Sequence, residues 1–421
     1  MEPIQRVNIS ENNFEQCTKC TVCTVYCPVT AVNPLFPGPK QGGPDSERYR
    51  LKDPGYFNPD LKYCLNCKRC EVACPSNVKV GDIIQSARIK YTKTPPSLRD
   101  SMLADTDLMG TVATTIAPIV NTTLSLRPVK FAMDKILRID SHRTFPSYAS
   151  QRFSSWFRRH AAPAQQNYPR KAVYFHGCYV EYNYPKLGRD LVRLANAAGY
   201  GVALMEKERC CGVAKISNRL IKQATRDAVR NIEAVRDALA TWPGAPVLGT
   251  SSTCIFTMRD EYPHLLHLDN ADIRPHIMLA TRWLFEKVES GEVKLAFRPG
   301  LHMRVAYHTP CHMSKLGWAY YSTSLLRMIP GLELTVLDSC CCGIAGTYGF
   351  KKENYKYSQQ IGAPLFRQIG ELAPDLVATD CETCKWQIEM STSARVENPV
   401  SILADAIDFD ATLRLNTSPH N

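Results

Sequence analysis

The sequence carries no glycine-rich dinucleotide-binding fingerprint, no phosphate-binding loop and no nucleophile with an evident base to activate it. Substrate oxidation that needs such parts therefore belongs to another chain. No stretch reaches the roughly 18 predominantly apolar residues of a membrane-crossing helix. The best candidate, Leu108 to Leu126, is uncharged but holds Pro118, Asn121 and several threonines, and reads as a buried connector instead. The opening MEPIQRVNISENNFEQ has no apolar run and no small-residue cleavage site, so the chain is expected to face the cytosol. Its 18 cysteines are then expected to be reduced thiols or metal ligands, not disulfides.

What is there is a cysteine pattern written twice. Cys17, Cys20, Cys23 and Cys27 precede Pro28, and Cys64, Cys67, Cys70 and Cys74 precede Pro75. Both copies follow the bacterial ferredoxin spacing C-x2-C-x2-C-x3-C-P, in which three thiolates wrap one cube and the fourth crosses to the other. Cys17, Cys20, Cys23 and Cys74 are therefore expected to hold one 4Fe-4S cluster, and Cys64, Cys67, Cys70 and Cys27 the second. A zinc knuckle needs only two close pairs and leaves the third cysteine and the proline unexplained.

A chain of 421 residues can bury two or three cores. Residues 1–95 read as a helical ferredoxin-like domain, with Val80, Ile83, Ile84 and Ala87 on one helix face and Pro95 and Pro96 ending it. Residues 96–169 read as a basic, partly amphipathic helical connector. The net charge of +11 concentrates there, with ten Lys and Arg against Asp134 and Asp140 between Arg127 and Lys171. Val129, Ala132, Met133, Ile136 and Leu137 make one helical stripe, and Phe153, Trp156 and Phe157 a second, flanked by Arg152, Arg158 and Arg159. Such stripes either pack on the protein or lie in the headgroup region of a membrane. No nucleic acid is expected as a partner, because no recognised binding motif accompanies the charge.

From about residue 170 the sequence repeats. Cys178, Cys211 and Cys254 recur as Cys311, Cys342 and Cys384, at separations of 133, 131 and 130 residues. Lys186-Leu187-Gly188 recurs as Lys315-Leu316-Gly317, a fourth matched landmark of the duplication. The repeats are placed at 170–299 and 300–410, with a polar tail at 411–421. Each alternates strand and helix, as in Ala172–Phe175, the Leu187/Leu191/Leu194 face, Gly201–Met205, the long helix carrying Ile221 to Leu239, and Pro246–Thr250. The expected class is multidomain α+β: a helical domain with two 4Fe-4S clusters, then two α/β repeats with parallel sheets. Ligands collect at the carboxyl ends of such strands. Cys311, Cys341, Cys342, Cys381 and Cys384 thus form a candidate metal site in the second repeat. The first offers Cys178, Cys210, Cys211 and Cys254, with Ser251 where a fifth cysteine would stand. Cys340 has no counterpart and stays unassigned. His176, His308 and His312 read as hydrogen-bonding neighbours.

Two ferredoxin motifs followed by two Cys-Cys-Gly repeats resemble the heterodisulfide-reductase-related (CCG-domain) iron-sulfur subunits, which include the iron-sulfur subunit of glycolate oxidase. The stretches CTKCTVCTVYCPV, LKYCLNCKRCEVACPS, CCGIAGTYGFKKENY, TDCETCKWQIEMSTS, LADTDLMG and IAPIVNT resemble one branch of that family over nearly the whole chain. TSSTC, with its Ser251, fits that branch and departs from the reductase pattern. The resemblance implies an electron-transfer role at the cytoplasmic face of the inner membrane, with two partners, a flavin-bearing dehydrogenase subunit (the A subunit) and a B subunit. Electrons would pass toward the quinone pool, with no substrate oxidised by this chain alone. The alternative implied by other relatives is a disulfide-reducing or hydroxy-acid-oxidase-associated subunit.

Overall fold

The computed structural model describes residues 13–338 and 341–417. Cys340 lies outside the described residues. In the first repeat, short apolar segments form β1 (Arg170–Tyr174), β2 (Tyr200–Leu204), β3 (Val247–Gly249) and β4 (Ile277–Leu279), all parallel, in the order β2-β1-β3-β4. Ala172, Val173 and Tyr174 of the central strand are fully buried, as a parallel strand covered on both faces requires. The second repeat builds β5 (Met303–Tyr307), β6 (Leu332–Val336), β7 (Leu376–Ala378) and β8 (Val396–Glu397) in the same arrangement, β6-β5-β7-β8. In each sheet the chain leaves the first strand toward one edge and returns on its other side. A crevice therefore opens between the carboxyl ends of β1 and β3, and of β5 and β7.

The Lys-Leu-Gly landmark does not belong to the duplication. Lys186 to Gly188 lie inside the helix Pro185–Ala197, whereas Lys315 and Leu316 end the helix Cys311–Leu316 and Gly317 caps it at φ 72°. Gly188 is required by contact, since a Cβ there would meet the Phe153 ring at 2.5 Å. Gly317 is favoured by its left-handed backbone.

One apolar core runs through both repeats, joining Leu187, Leu191 and Tyr174 to Tyr307, Val400 and Leu403. Ser401 Oγ donates to Asp190 Oδ2 at 2.7 Å across that junction. The tail expected from residue 411 is helical through 417, and Asn416 Nδ2 donates to the Ala197 carbonyl at 3.1 Å.

Between residues 13 and 95 the described elements are helices, the longest being Val80–Tyr91, which buries Val80, Ile83, Ile84 and Ala87. This domain meets both repeats through a buried ionic network. Lys68, fully buried, binds Asp82 and lies 3.7 Å from Glu71; Glu71 Oε2 pairs with Lys315 Nζ of the second repeat at 2.8 Å as an ion pair. Asn66 Nδ2 donates to Glu261 of the first repeat at 2.6 Å, and His264 Nδ1 lies 3.4 Å from Asp82. Burial works against the Lys68 ammonium, but Asp82, Glu71 and Glu261 together raise its pKa above the ordinary lysine value.

In the connector the structure decides between the two readings of the aromatic stripe and departs from expectation for the Leu108–Leu126 run. Phe153 and Phe157 are buried in the core of the repeats, with Trp156 packed against it and Arg189 over the Trp156 ring at 5.7 Å. The aromatic stripe is therefore core and does not face lipid. Conversely, the run from Leu108 to Leu126 is not buried. Its helices Thr106–Thr115 and Ala117–Ser125 turn small residues inward, Gly110, Ala113, Thr114 and Ala117, because a Cβ on Gly110 would already meet the Tyr182 ring at 2.4 Å. Val112, Ile116 and Ile119 are left exposed. The next helix, Arg127–Ile136, buries Asp134 against Lys352 and leaves Phe131 and Ile136 outside at 60% and 78% exposure. Among the described residues no helix is long and apolar enough to cross a membrane.

Candidate iron-sulfur centres

The two ferredoxin motifs fold as near-identical loops, each entering a short helix through a left-handed residue, Thr21 at φ 63° and Lys68 at φ 61°. Cys23 and Cys70, in these short helices, are buried, whereas Cys20 is exposed; around the second motif backbone N–H groups reach sulfur. Asn66 N donates to Cys64 Sγ at 3.5 Å and Val78 N to Cys74 Sγ at 3.3 Å. The structure groups Cys23 with Cys17, Cys74 and Cys20: burial pushes the Cys23 thiol up and these three neighbours add to the effect. It groups Cys27 with Cys64, Cys67 and Cys70 around one small pocket. Burial, then Cys67 and Cys64, pushes the Cys27 thiol up to about 12. Eight soft donors in two crowded sets, with Cys23, Cys27, Cys64 and Cys70 made costly to ionise by burial, suit a cation cluster that takes them as thiolates.

In the repeats every assigned cysteine lies beyond the carboxyl end of a strand. Cys178 and Cys311 sit in the first turns of the helices Gly177–Tyr182 and Cys311–Leu316, after β1 and β5. Cys254 follows β3 in the helix Ser252–Phe256; Cys381 caps, and Cys384 lies within, the helix Glu382–Ser391 after β7. The Cys210-Cys211 and Cys341-Cys342 pairs follow β2 and β6, and Gly212 and Gly343 then turn at φ 87° and 86°.

The two repeats use their thiols alike. Cys210 is held well below the ordinary thiol range by hydrogen bonds from Cys178 and Cys211. Cys341 is held down in the same way by Cys311 and Cys342. Cys178 and Cys210 lie 3.7 Å apart, and Cys342 and Cys384 3.3 Å apart. A hydrogen bond from Cys384 lowers Cys381 to about 5. Ser251 does not replace that thiol: its Oγ accepts from Cys254 N at 3.3 Å as a helix cap. The second repeat thus gathers five thiols around a cleft of about 700 Å³ that Asn66 and Cys67 also line. The first gathers four.

Sequence reasoning missed several neighbours. Asp107, in LADTDLMG, accepts from Cys210 N at 2.9 Å, and burial, with repulsion from Cys210, pushes its carboxyl up to about 6. Arg143, counted as one more connector charge, is fully buried, lies over the Phe350 ring at 4.5 Å and donates to Gln387 Oε1 at 2.5 Å. Nothing local in the sequence marks either one. His312 behaves as expected, with Nε2 3.2 Å from the Asn66 carbonyl and its ring stacked on Phe256. His176 packs edge-on against Phe153 and lies 3.3 Å from Glu208.

Two thiol-lined ferredoxin-type sets and two thiol crevices at the switch points of parallel sheets define an iron-sulfur protein of the cysteine-rich-domain class. Residues 13–78 match the 4Fe-4S dicluster domain, and residues 172–259 and 305–389 each match the cysteine-rich CCG domain. The chain is 58% identical, over 95% of its length and 100% of the relative's, to the C subunit of anaerobic glycerol-3-phosphate dehydrogenase from Escherichia coli (strain K12). It is 23% identical to the B subunit of fumarate reductase (CoM/CoB) from Methanothermobacter marburgensis, over 89% of this chain and 67% of that one. Against lactate utilization protein A of Geobacillus kaustophilus the identity is 29%, over 50% and 87%. The chain belongs to the family of the C subunit of anaerobic glycerol-3-phosphate dehydrogenase.

Proposed function

We propose that this chain is the electron-transfer subunit of a glycerol-3-phosphate dehydrogenase complex. It takes electrons from a flavin-bearing A subunit, works beside a B subunit, and delivers toward the quinone pool from the cytoplasmic face of the inner membrane. Bound clusters supply one-electron acceptors. Cys17, Cys20, Cys23 and Cys74 hold the first, and Cys64, Cys67, Cys70 and Cys27 the second. Cys311, Cys341, Cys342, Cys381 and Cys384 hold a third, and Cys178, Cys210, Cys211 and Cys254 offer a further site.

The observation that carries this reading is the contact of Cys67 with Cys311. Cys311 is pushed well above the ordinary thiol range by its hydrogen bonds to Cys341 and Cys67. One ligand of the second ferredoxin set therefore touches one ligand of the second repeat, and both line the same cleft. The backbone donors on Cys64, Cys74 and Cys341 hold negative charge on sulfur, which is how a protein tunes such centres. Attachment to the membrane falls to the outward face of residues 106–136. That segment exposes Val112, Ile116, Ile119, Phe131 and Ile136 and carries Arg127, Lys130 and Lys135, the last over the Phe131 ring at 5.3 Å. Such a face suits an anionic lipid surface, each near-surface charge adding about 1 kcal/mol to the apolar term.

The test is reconstitution of the anaerobically purified chain with its two partner subunits and a soluble quinone. Glycerol 3-phosphate should bleach the cluster absorbance of this chain, and quinone should restore it. Clusters that stay oxidised while the flavin is reduced would sink the relay. The open cleft beside Cys341 and Cys342 favours a second reading, reduction of a disulfide there. That reading requires the purified, reduced chain alone to turn over a disulfide.

A further inference from the structure

His308 is 1% exposed, and neither ring nitrogen has a hydrogen-bond partner. Leaving buried polar groups unsatisfied costs about 1–3 kcal/mol each, so the position needs a reason to be histidine. The fold itself does not supply one. Counting back three residues from Cys311 gives His308, and three back from Cys178 gives Phe175. The two are equivalent in structure as well: Phe175 N donates to Leu248 O, and His308 N to Ala378 O, both at 2.9 Å, extending β1 along β3 and β5 along β7. Phe175 fills its place in the first repeat with an apolar ring, 1% exposed and with nothing left unpaired. The repeat with five candidate cysteines puts an imidazole there, and the repeat with four puts a phenyl there.

The imidazole points at thiols. One nitrogen of His308, Cys342 Sγ and Cys384 Sγ all lie within 4.8 Å of one another. The two sulfurs are 3.3 Å apart, near the roughly 3.8 Å edge of a tetrahedron whose metal–sulfur bonds are about 2.3 Å. Cys311 and Cys341 belong to the same site, joined by the hydrogen bond between their thiols, and Cys341 is hydrogen-bonded in turn to Cys342.

We propose that His308 is an iron ligand of the second-repeat centre, sharing one iron with Cys342 and Cys384. The centre then has one nitrogen-ligated corner distinct from its all-thiolate irons. A neutral nitrogen donor in place of a thiolate leaves that corner less negative and raises the potential at which it accepts an electron. The proposal rests on the assignment of a cluster to the second repeat.

The test uses the full chain, purified anaerobically with its clusters and grown with ¹⁵N-labelled histidine. Pulsed paramagnetic resonance should find one histidine nitrogen coupled as strongly as a directly bound imidazole. His308→Phe, which installs the residue that the first repeat already accommodates, should abolish that coupling and loosen the iron at that corner, whereas His308→Cys, which supplies a thiolate, should keep its iron and lower the potential of the same signal. A second-repeat signal that is lost in the Cys341→Ser, Cys342→Ser double variant, but shows only weak hydrogen-bond-type nitrogen coupling in the parent, overturns the ligand and leaves the cluster standing. Iron and sulfide content unchanged by that double variant overturns both. Strong coupling that persists in His308→Phe also refutes the assignment to His308.

Discussion

Truncating Phe153 to alanine separates a core residue from a lipid anchor. Its ring is fully buried, edge-on to Tyr174 at 5.6 Å and to His176 at 5.4 Å, and stacked beside Trp156 at 5.8 Å. It also fills the space that Gly188 leaves open in the helix behind it. A phenylalanine removed from such a site costs about 3–5 kcal/mol, because the lost contacts and the remaining cavity add. In a unit of this size each kcal/mol moves the melting point by about 2–4 °C, so the transition of the first repeat should fall by about 6–20 °C. Thermal unfolding followed by far-UV circular dichroism, with the cluster absorbance read in parallel, measures it. Phe131→Ser and Ile136→Ser, on the outer face, should each stay within about 0.5 kcal/mol of the parent. A Phe153→Ala chain that melts within about 2 °C of the parent, yet no longer binds anionic vesicles, would refute the burial argument and return the stripe to the membrane.

Combining Ile119→Ser, Phe131→Ser and Ile136→Ser should release the folded, cluster-loaded chain from anionic vesicles, whereas added salt should weaken parent binding without abolishing it; flotation assays read both. Cys27→Ser should damage the signal of the second ferredoxin motif and spare the first, with Cys23→Ser doing the reverse, as paramagnetic resonance would register. Gly343→Ala should strip iron from the second repeat, since its Cβ would stand 2.0 Å from the Ser358 carbonyl oxygen, while Gly212→Ala, with nothing nearer than 3.8 Å, should cost only the left-handed backbone strain of about 1–2 kcal/mol. Burial alone would raise the Asp100 carboxyl, but Lys351 at 2.8 Å and Ser97 hold it below the usual range. A depressed carboxyl stabilises the fold above the unfolded pKa of about 4 and stops doing so as pH falls through its folded value, so Asp100→Asn should flatten the acid limb of a stability–pH curve.

The parts of the fold that were legible in the sequence are those with local signatures. Cysteine spacing marks both ferredoxin loops because the ligand geometry demands it, and period matching finds the duplication because one four-stranded unit is written twice. The buried Val80, Ile83, Ile84 and Ala87 face was readable for the same reason, as a helix with one apolar side. What stayed hidden depends on tertiary choice. The Phe153 stripe and the Leu108–Leu126 run look equally suited to core or surface, and only the docking of Gly110 on Tyr182 decides which one turns outward. Lys-Leu-Gly misled because three common residues can recur at nearly the right period by chance. His308 was visible as a residue near a cysteine, but its meaning needs the strand register that equates it with Phe175.

The ionic network around Lys68 bears on how this protein can be recombined. Lys68, Glu71 and Asp82 come from the ferredoxin-like domain, Glu261 and His264 from the first repeat and Lys315 from the second. Removing one partner of a buried pair leaves an uncompensated charge that costs about 3–5 kcal/mol. A chimaera that imports the N-terminal domain of a distant relative inherits that penalty unless these six side chains travel as one set. The three domains are modules by sequence but a single heritable unit at their junction, and grafting has to cut around that junction, not through it.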